Sequence, residues 1–177
     1  MKNALIISGN LVQDHEFIYP YYRLLEENFE VSVCLNEGSK VKGILGTDIP
    51  PNKDQKILKA EDVNVDYYNF LVLPGGVKAM EKVRQNKIIL NIIKQFDDQK
   101  KIIACICSGA QLLISAKIVK GRNISGYYSM MDDIINAGAN YVDEESVIDE
   151  NIITTAHYKD MGPWMKSALK VFYKKNL

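Results

Sequence analysis

Lys101-Ile102-Ile103-Ala104-Cys105-Ile106-Cys107-Ser108-Gly109-Ala110-Gln111-Leu112-Leu113-Ile114-Ser115 decides the fold. Lys101 to Ile106 is a short apolar run rich in branched side chains, as expected for a strand buried on both faces. Gly109 to Ser115 begins a helix, and small residues join the two. An apolar strand passing through a tight small-residue turn into a helix is the arrangement of a nucleophile elbow, with Cys107 at the exposed position. At a helix N-terminus its sulfur would meet unpaired amides and the positive end of the dipole, so a lowered thiol pKa is expected. The competing reading is a small buried hydrophobe, the ordinary fate of a free cysteine. Cys105, inside the strand, and Cys34, at the end of another, read as packing. Cys105-x-Cys107 lacks a second ligand pair and does not suggest a metal.

Outward from this segment, strands alternate with helices. Asn3 to Ile7, Val31 to Leu35 and Phe70 to Leu73 are further buried strands. Phe17, Tyr21, Leu24 and Leu25 form an apolar stripe on a helix from Glu16, and Ile89, Ile92, Ile93 and Phe96 another over Lys87 to Gln99. Asn36 to Asn64 is a polar excursion broken by glycines and Pro50-Pro51, with room for a hairpin. Ile124 suggests a short strand. Met131 to Ala137 reads as a helix stopped by Gly138. Val147-Ile148 and Ile152 to Thr155 flank a turn at Asp149-Glu150-Asn151. A last helix from about Pro163 turns Trp164, Met165, Ala168, Leu169 and Phe172 inward. The expected fold is α/β: a mostly parallel sheet with helices on both faces, a flavodoxin-like sandwich with a nucleophile elbow, in one domain over residues 1–177.

Composition narrows the partners. The 22 basic and 22 acidic residues cancel, and no basic cluster marks a nucleic-acid surface. The longest uncharged run, Ile102 to Ala116, falls short of the roughly 20 apolar residues that span a bilayer. Met1-Lys2 leads straight into a strand, leaving no room for a signal peptide, so a cytoplasmic protein with reduced thiols is expected. The sequence carries no cofactor or metal pattern.

Ligands of parallel sheets gather beyond the carboxyl ends of the strands. Two further segments lie there. In Pro74-Gly75-Gly76 the glycines permit unusual dihedrals, and the amides of Gly76 and Ser108 form a natural oxyanion pair. In Asp14-His15-Glu16, Glu16 is either a first-turn glutamate favoured by the helix dipole or a carboxyl facing Cys107. In the second case mutual repulsion would leave one proton on the pair and make Glu16 a shuttle.

Taken in order, Glu16-Phe17-Ile18-Tyr19-Pro20-Tyr21, Leu71-Val72-Leu73-Pro74-Gly75-Gly76, Ala104-Cys105-Ile106-Cys107-Ser108-Gly109 and Asp132-Asp133-Ile134-Ile135-Asn136-Ala137-Gly138-Ala139 resemble PfpI-type intracellular hydrolases and protein deglycases, relatives of class I glutamine amidotransferase-like folds. The resemblance spans nearly the whole chain. It implies Cys107 as nucleophile, Glu16 as its acid partner, and Gly76 and Ser108 as the oxyanion hole. Peptidase-like members carry a histidine directly after the cysteine, where this chain has Ser108. The deglycase-like branch places a histidine where this chain has Tyr127. His157, after the strand ending at Thr155, and His15, beside Glu16, remain as auxiliary candidates. Glu81 matches a glutamate that PfpI-type oligomers contribute from a neighbouring subunit. The implied activity is cysteine-dependent chemistry on a reactive carbonyl, a 2-oxoaldehyde or a glycated protein. The alternatives are a non-enzymatic redox-sensing or stress-protective thiol protein, and a peptidase whose histidine comes from elsewhere. A glutaminase role fares worse, because neither histidine has the expected His-x-Glu setting. A homodimer or larger ring is implied as well, with Tyr19, Tyr21 and Tyr22 crowding the first helix beyond what one inward stripe buries.

Overall fold

A computed structural model describes residues 2–175. The strands are β1 (Asn3–Ser8), β2 (Glu30–Leu35), β3 (Val41–Lys42), β4 (Asp48–Ile49), β5 (Ile57–Leu58), β6 (Phe70–Leu73), β7 (Ile102–Ile106), β8 (Asn123–Ile124), β9 (Asn140–Tyr141), β10 (Val147–Asp149) and β11 (Ile152–Thr155). The helices are α1 (Asp14–Glu26), α2 (Val77–Val83), α3 (Lys87–Asp98), α4 (Ala110–Ser115), α5 (Met131–Asn136) and α6 (Met161–Lys175). The main sheet has seven strands in the order β10-β11-β7-β6-β1-β2-β5, and every pairing is parallel except β10 with β11. This is the α/β architecture expected from the alternation.

Every residue of β1, β6, β7 and β11 is buried, which an apolar run achieves only when both faces of its sheet are covered. Helices α1 and α6 pack together, as do α2, α3 and α4. From β1 the chain turns through α1 to β2 on one side, then returns to place β6 on the other. The strand order therefore reverses between β1 and β6, the position where such sheets open a crevice. Leu73 pairs with Cys105 and Thr155 with Ile106, so the segments after β6, β7 and β11 emerge side by side.

Several elements differ from the sequence reading. Helix α1 starts two residues earlier, at Asp14, capped by the Gln13 side chain. Helix α2, which the sequence reading lacks, follows Gly76 directly and buries Ala79, Met80 and Val83. The excursion contains an antiparallel pair, β3 with β4, and its 43–47 loop is fastened to α1. The Asp14 carboxylate accepts from the amides of Leu45 (2.8 Å) and Thr47 (3.1 Å). Asp14 thereby carries Ile44 to the rim of the crevice.

Candidate active site

Cys107 opens a one-turn 3-10 segment, Cys107–Gly109, that leads from β7 into α4. Its φ is +58°, in the left-handed region that costs an L-residue about 1–2 kcal/mol. Surrounding structure holds it there: the Tyr127 amide donates to its carbonyl at 3.2 Å. A Cβ on Gly109 would lie 2.6 Å from the Leu73 carbonyl oxygen, so the turn needs glycine at that position. The elbow expected from the sequence is formed.

Glu16, on the first turn of α1, is fully buried. Its Oε2 accepts the Gly75 amide at 2.8 Å, and its Oε1 has no hydrogen-bond partner among the described residues. Burial pushes this carboxyl up to about 7, against the Gly75 amide and the Cys107 side chain, which favour the ionised form. Burial also pushes the Cys107 thiol up to about 12, and the Glu16 carboxylate adds to it, against the hydroxyl and amide of Ser108. The expected lowering of the thiol pKa is thus reversed. The turn after Cys107 is followed by a helix of only six residues, and its amides do not offset desolvation beside a carboxyl group. At neutral pH the pair rests as a thiol facing a carboxyl poised to exchange a proton.

Gly76 has φ +97°, and its amide donates to Ser108 Oγ at 3.1 Å. The amide expected to meet an oxyanion is therefore engaged by the Ser108 hydroxyl in this state. That hydroxyl, accepting from Gly76, keeps its own proton, and the Cys107 sulfur lies 3.7 Å away. Only the hydroxyl can donate once the sulfur is a thiolate. Ser108→Ala should accordingly slow alkylation of Cys107 by iodoacetamide about tenfold at pH 8, the low end for a hydrogen bond to a charged group. An unchanged rate–pH profile would show that the hydroxyl does not reach the sulfur.

A cavity of about 320 Å³ opens over Cys107, lined by Gln13, Glu16, Ile44, Gly76, Val77, Ser108, Tyr127, His157 and Tyr158. Tyr127 and His157 are thus brought to the site. His157 Nδ1 accepts from the Lys159 amide at 3.2 Å, capping the 3-10 turn Tyr158–Asp160. With Nδ1 an acceptor, the neutral ring carries its proton on Nε2 and offers a donor rather than a base. His15 points elsewhere, into a groove with Ile18, Tyr19, Tyr22, Arg23, Glu26 and Met161, and meets the site only through its edge contact with Tyr158. Glu81 lines another cleft, with Arg84, Gln111 and Asp133, and within one chain does not meet Cys107. Tyr21 is buried against Gln55 while Tyr22 stays exposed. Cys34 and Cys105 are buried, and desolvation raises both thiols. Among the described residues no three His, Cys, Asp or Glu side chains converge as metal ligands would. No helix among them is long and apolar enough to cross a membrane.

The sequence reading placed weight on Gly76 and missed Gly75. A Cβ on Gly75 would lie 2.5 Å from Glu16 Oε2, 2.8 Å from Cys107 Cβ and 2.9 Å from the Ser108 nitrogen. The side chain absent from Gly75 is the space in which acid and nucleophile meet.

A parallel sheet carrying a left-handed cysteine elbow against a buried glutamate defines a class of α/β cysteine proteins. Residues 2–171 match the DJ-1/PfpI family, and the chain belongs to it. It is 38% identical over 167 residues to Deglycase PfpI of Pyrococcus furiosus, covering 94% of this chain and 97% of that protein. It is 33% identical over 163 residues to General stress protein 18 of Bacillus subtilis, covering 92% of each. Its fold matches the crystal structure of a two-domain protein with DJ-1/ThiJ/PfpI-like and ferritin-like domains from Anabaena variabilis with a TM-score of 0.89 at 30% identity, covering 96% of this chain and 48% of that one.

Proposed function

We propose that this protein is a cysteine-dependent enzyme acting on a reactive carbonyl, either a 2-oxoaldehyde or its adduct on protein, in the manner of a deglycase. The reading rests chiefly on one observation: the Cys107 thiol faces a buried carboxyl whose pKa, about 7, lets it take and return a proton at neutral pH. As the sulfur bonds to the aldehyde carbon, the S–H proton passes to Glu16 and then to the new alkoxide, giving a hemithioacetal. Ser108 and, once released from it, the Gly76 amide stabilise the alkoxide. Glu16, again a carboxylate, removes the C1 proton and returns it to C2, while the hydroxyl proton on the C1 oxygen passes to the C2 oxygen, leaving a thioester of the 2-hydroxy acid. Water releases the 2-hydroxy acid and restores the thiol. The net change is addition of one water, with no external oxidant. An amide bond suits this apparatus less, because Ser108 stands where peptidase-like members carry a histidine and cannot protonate an amine leaving group as an imidazole would.

The test is lactate formation from methylglyoxal. Wild type should produce it and Cys107→Ala should fall to background; equal rates in the two would remove the proposal. A protein partner in the form of a second copy stays within the same proposal, and light scattering at micromolar concentration reads it as a dimeric or larger mass.

A further inference from the structure

The cavity over Cys107 is larger than the reaction requires. At about 320 Å³ it belongs to the size range of sites for drug-sized ligands. Methylglyoxal fills the space of only a few waters, each about 30 Å³ in the liquid. The surplus is an open space bordered largely by apolar and aromatic groups. His157 lies against Tyr158, with ring centroids 4.0 Å apart, and nearly parallel to Tyr127 at 6.3 Å and 26°. Tyr128 stacks behind His157 at 6.3 Å and 19°. The wall is held by backbone bonds: the Tyr127 amide reaches the Cys107 carbonyl, and His157 Nδ1 takes the Lys159 amide. Ile44 and Val77 contribute apolar surface to the same cavity and are about half exposed, as are Tyr127 and Tyr158 to a slightly lesser degree. Among the described residues no Lys or Arg lines the space, and the one carboxylic acid lining it is Glu16. Lys159, on the same turn as the wall, is absent from the cavity lining: it interacts first with the Tyr128 hydroxyl and lies 4.0 Å from Asp160.

A carboxylate or phosphate on the substrate would find no counter-charge here and would face Glu16. A flat apolar ring would displace water from Ile44, Val77 and the tyrosines and could stack against the rings in the offset or edge-on geometry that aromatic pairs prefer. We infer that the wall of Tyr127, His157 and Tyr158 selects 2-oxoaldehydes carrying an aromatic substituent over small or anionic ones. The inference rests on the proposed carbonyl chemistry and specifies its substrate. The reaction balances as before: phenylglyoxal plus water gives mandelate.

The experiment compares kcat/KM for phenylglyoxal, methylglyoxal and 4-carboxyphenylglyoxal, each divided by the aldehyde's uncatalysed reactivity toward a free thiol. Wild type should prefer phenylglyoxal over methylglyoxal about tenfold, the scale of one good aromatic contact, and the anionic 4-carboxyphenylglyoxal should be slower than phenylglyoxal. Tyr158→Ala should bring the phenylglyoxal preference close to unity, and Tyr158→Phe should retain it. A wild type without the preference, or a Tyr158→Ala variant that keeps it, overturns the inference. Ligand-observed NMR on Cys107→Ala reads the wall without chemistry, using acetophenone against acetone. Saturation transfer to acetophenone, reduced when Tyr158→Ala is added, supports the wall even if no aldehyde is turned over, and its absence removes it.

Discussion

Glu16→Gln should make the protein more stable above neutral pH while removing most of its activity. The folded state holds this carboxyl at about 7, well above its ordinary 4.5, so folding favours the protonated form. That contribution is fully present below about pH 4.5 and is lost as pH rises through about 7, where the buried group must ionise. A glutamine keeps the acceptor for the Gly75 amide and never ionises. At pH 8 it should therefore gain about 2–4 kcal/mol over wild type, at 1.36 kcal/mol per pKa unit. That corresponds to roughly 5–10 °C in Tm for a chain of this size. At pH 4 the two proteins should melt together. Activity moves the other way: without a group that exchanges protons, turnover of a 2-oxoaldehyde should fall about 10²–10⁴-fold, and the rise in wild-type rate near pH 7 should vanish. Thermal melts at pH 4 and pH 8 check the first claim and a rate–pH profile the second. A variant no more stable than wild type at pH 8 would mean that Glu16 is not desolvated as its burial indicates.

This opposition between stability and chemistry also marks where the sequence stops being legible. Strands β1, β6 and β7 announce themselves, because an apolar run without alternation has few homes other than the middle of a covered parallel sheet. The turn at Glu150 and Asn151 and the inward stripe of α6 are readable for similar reasons. Helix α2 is not, because seven residues after Pro-Gly-Gly show too few turns for periodicity to emerge, and β5 pairs through only two residues. At the site, Cys107 and Glu16 could be named from residue type, position and resemblance. The sign of the thiol shift could not, since it depends first on how deeply the sulfur itself is buried and then on Glu16 packed beside it from across the fold. The role of His157 as a cap was equally hidden: it requires knowing that the chain turns at Tyr158 and brings the Lys159 amide back to the ring. The engagement of the Gly76 amide by Ser108 joins residues 32 positions apart and leaves no local trace.

The same long-range geometry makes Gly75→Ala the most disruptive small substitution in the site. Its φ does not lie in the left-handed region, so the objection to alanine is space rather than backbone strain. The added methyl would meet Glu16 Oε2 at 2.5 Å, Cys107 Cβ at 2.8 Å and the Ser108 nitrogen at 2.9 Å. Two of these neighbours sit in the elbow, which is fixed between β7 and α4 and already held at positive φ, so they cannot yield cheaply. The carboxyl can swing away, but only by giving up the Gly75 amide while remaining buried. Overpacking and a lost buried hydrogen bond together should cost about 3–5 kcal/mol. Displacing acid from nucleophile by even about 1 Å should lower kcat/KM by about 10²-fold. Gly162→Ala is the control: no atom lies within 4 Å of its added Cβ, and within α6 alanine should leave Tm unchanged or raise it slightly. If the carboxyl is what the methyl displaces, Glu16→Ala should relieve part of the damage. The double variant would then be more stable than the sum of the two single losses implies, by about 1 kcal/mol or more. Strict additivity in urea melts of the four proteins would show that Gly75 is confined by the elbow alone, and that Glu16 and Cys107 are not held together through it.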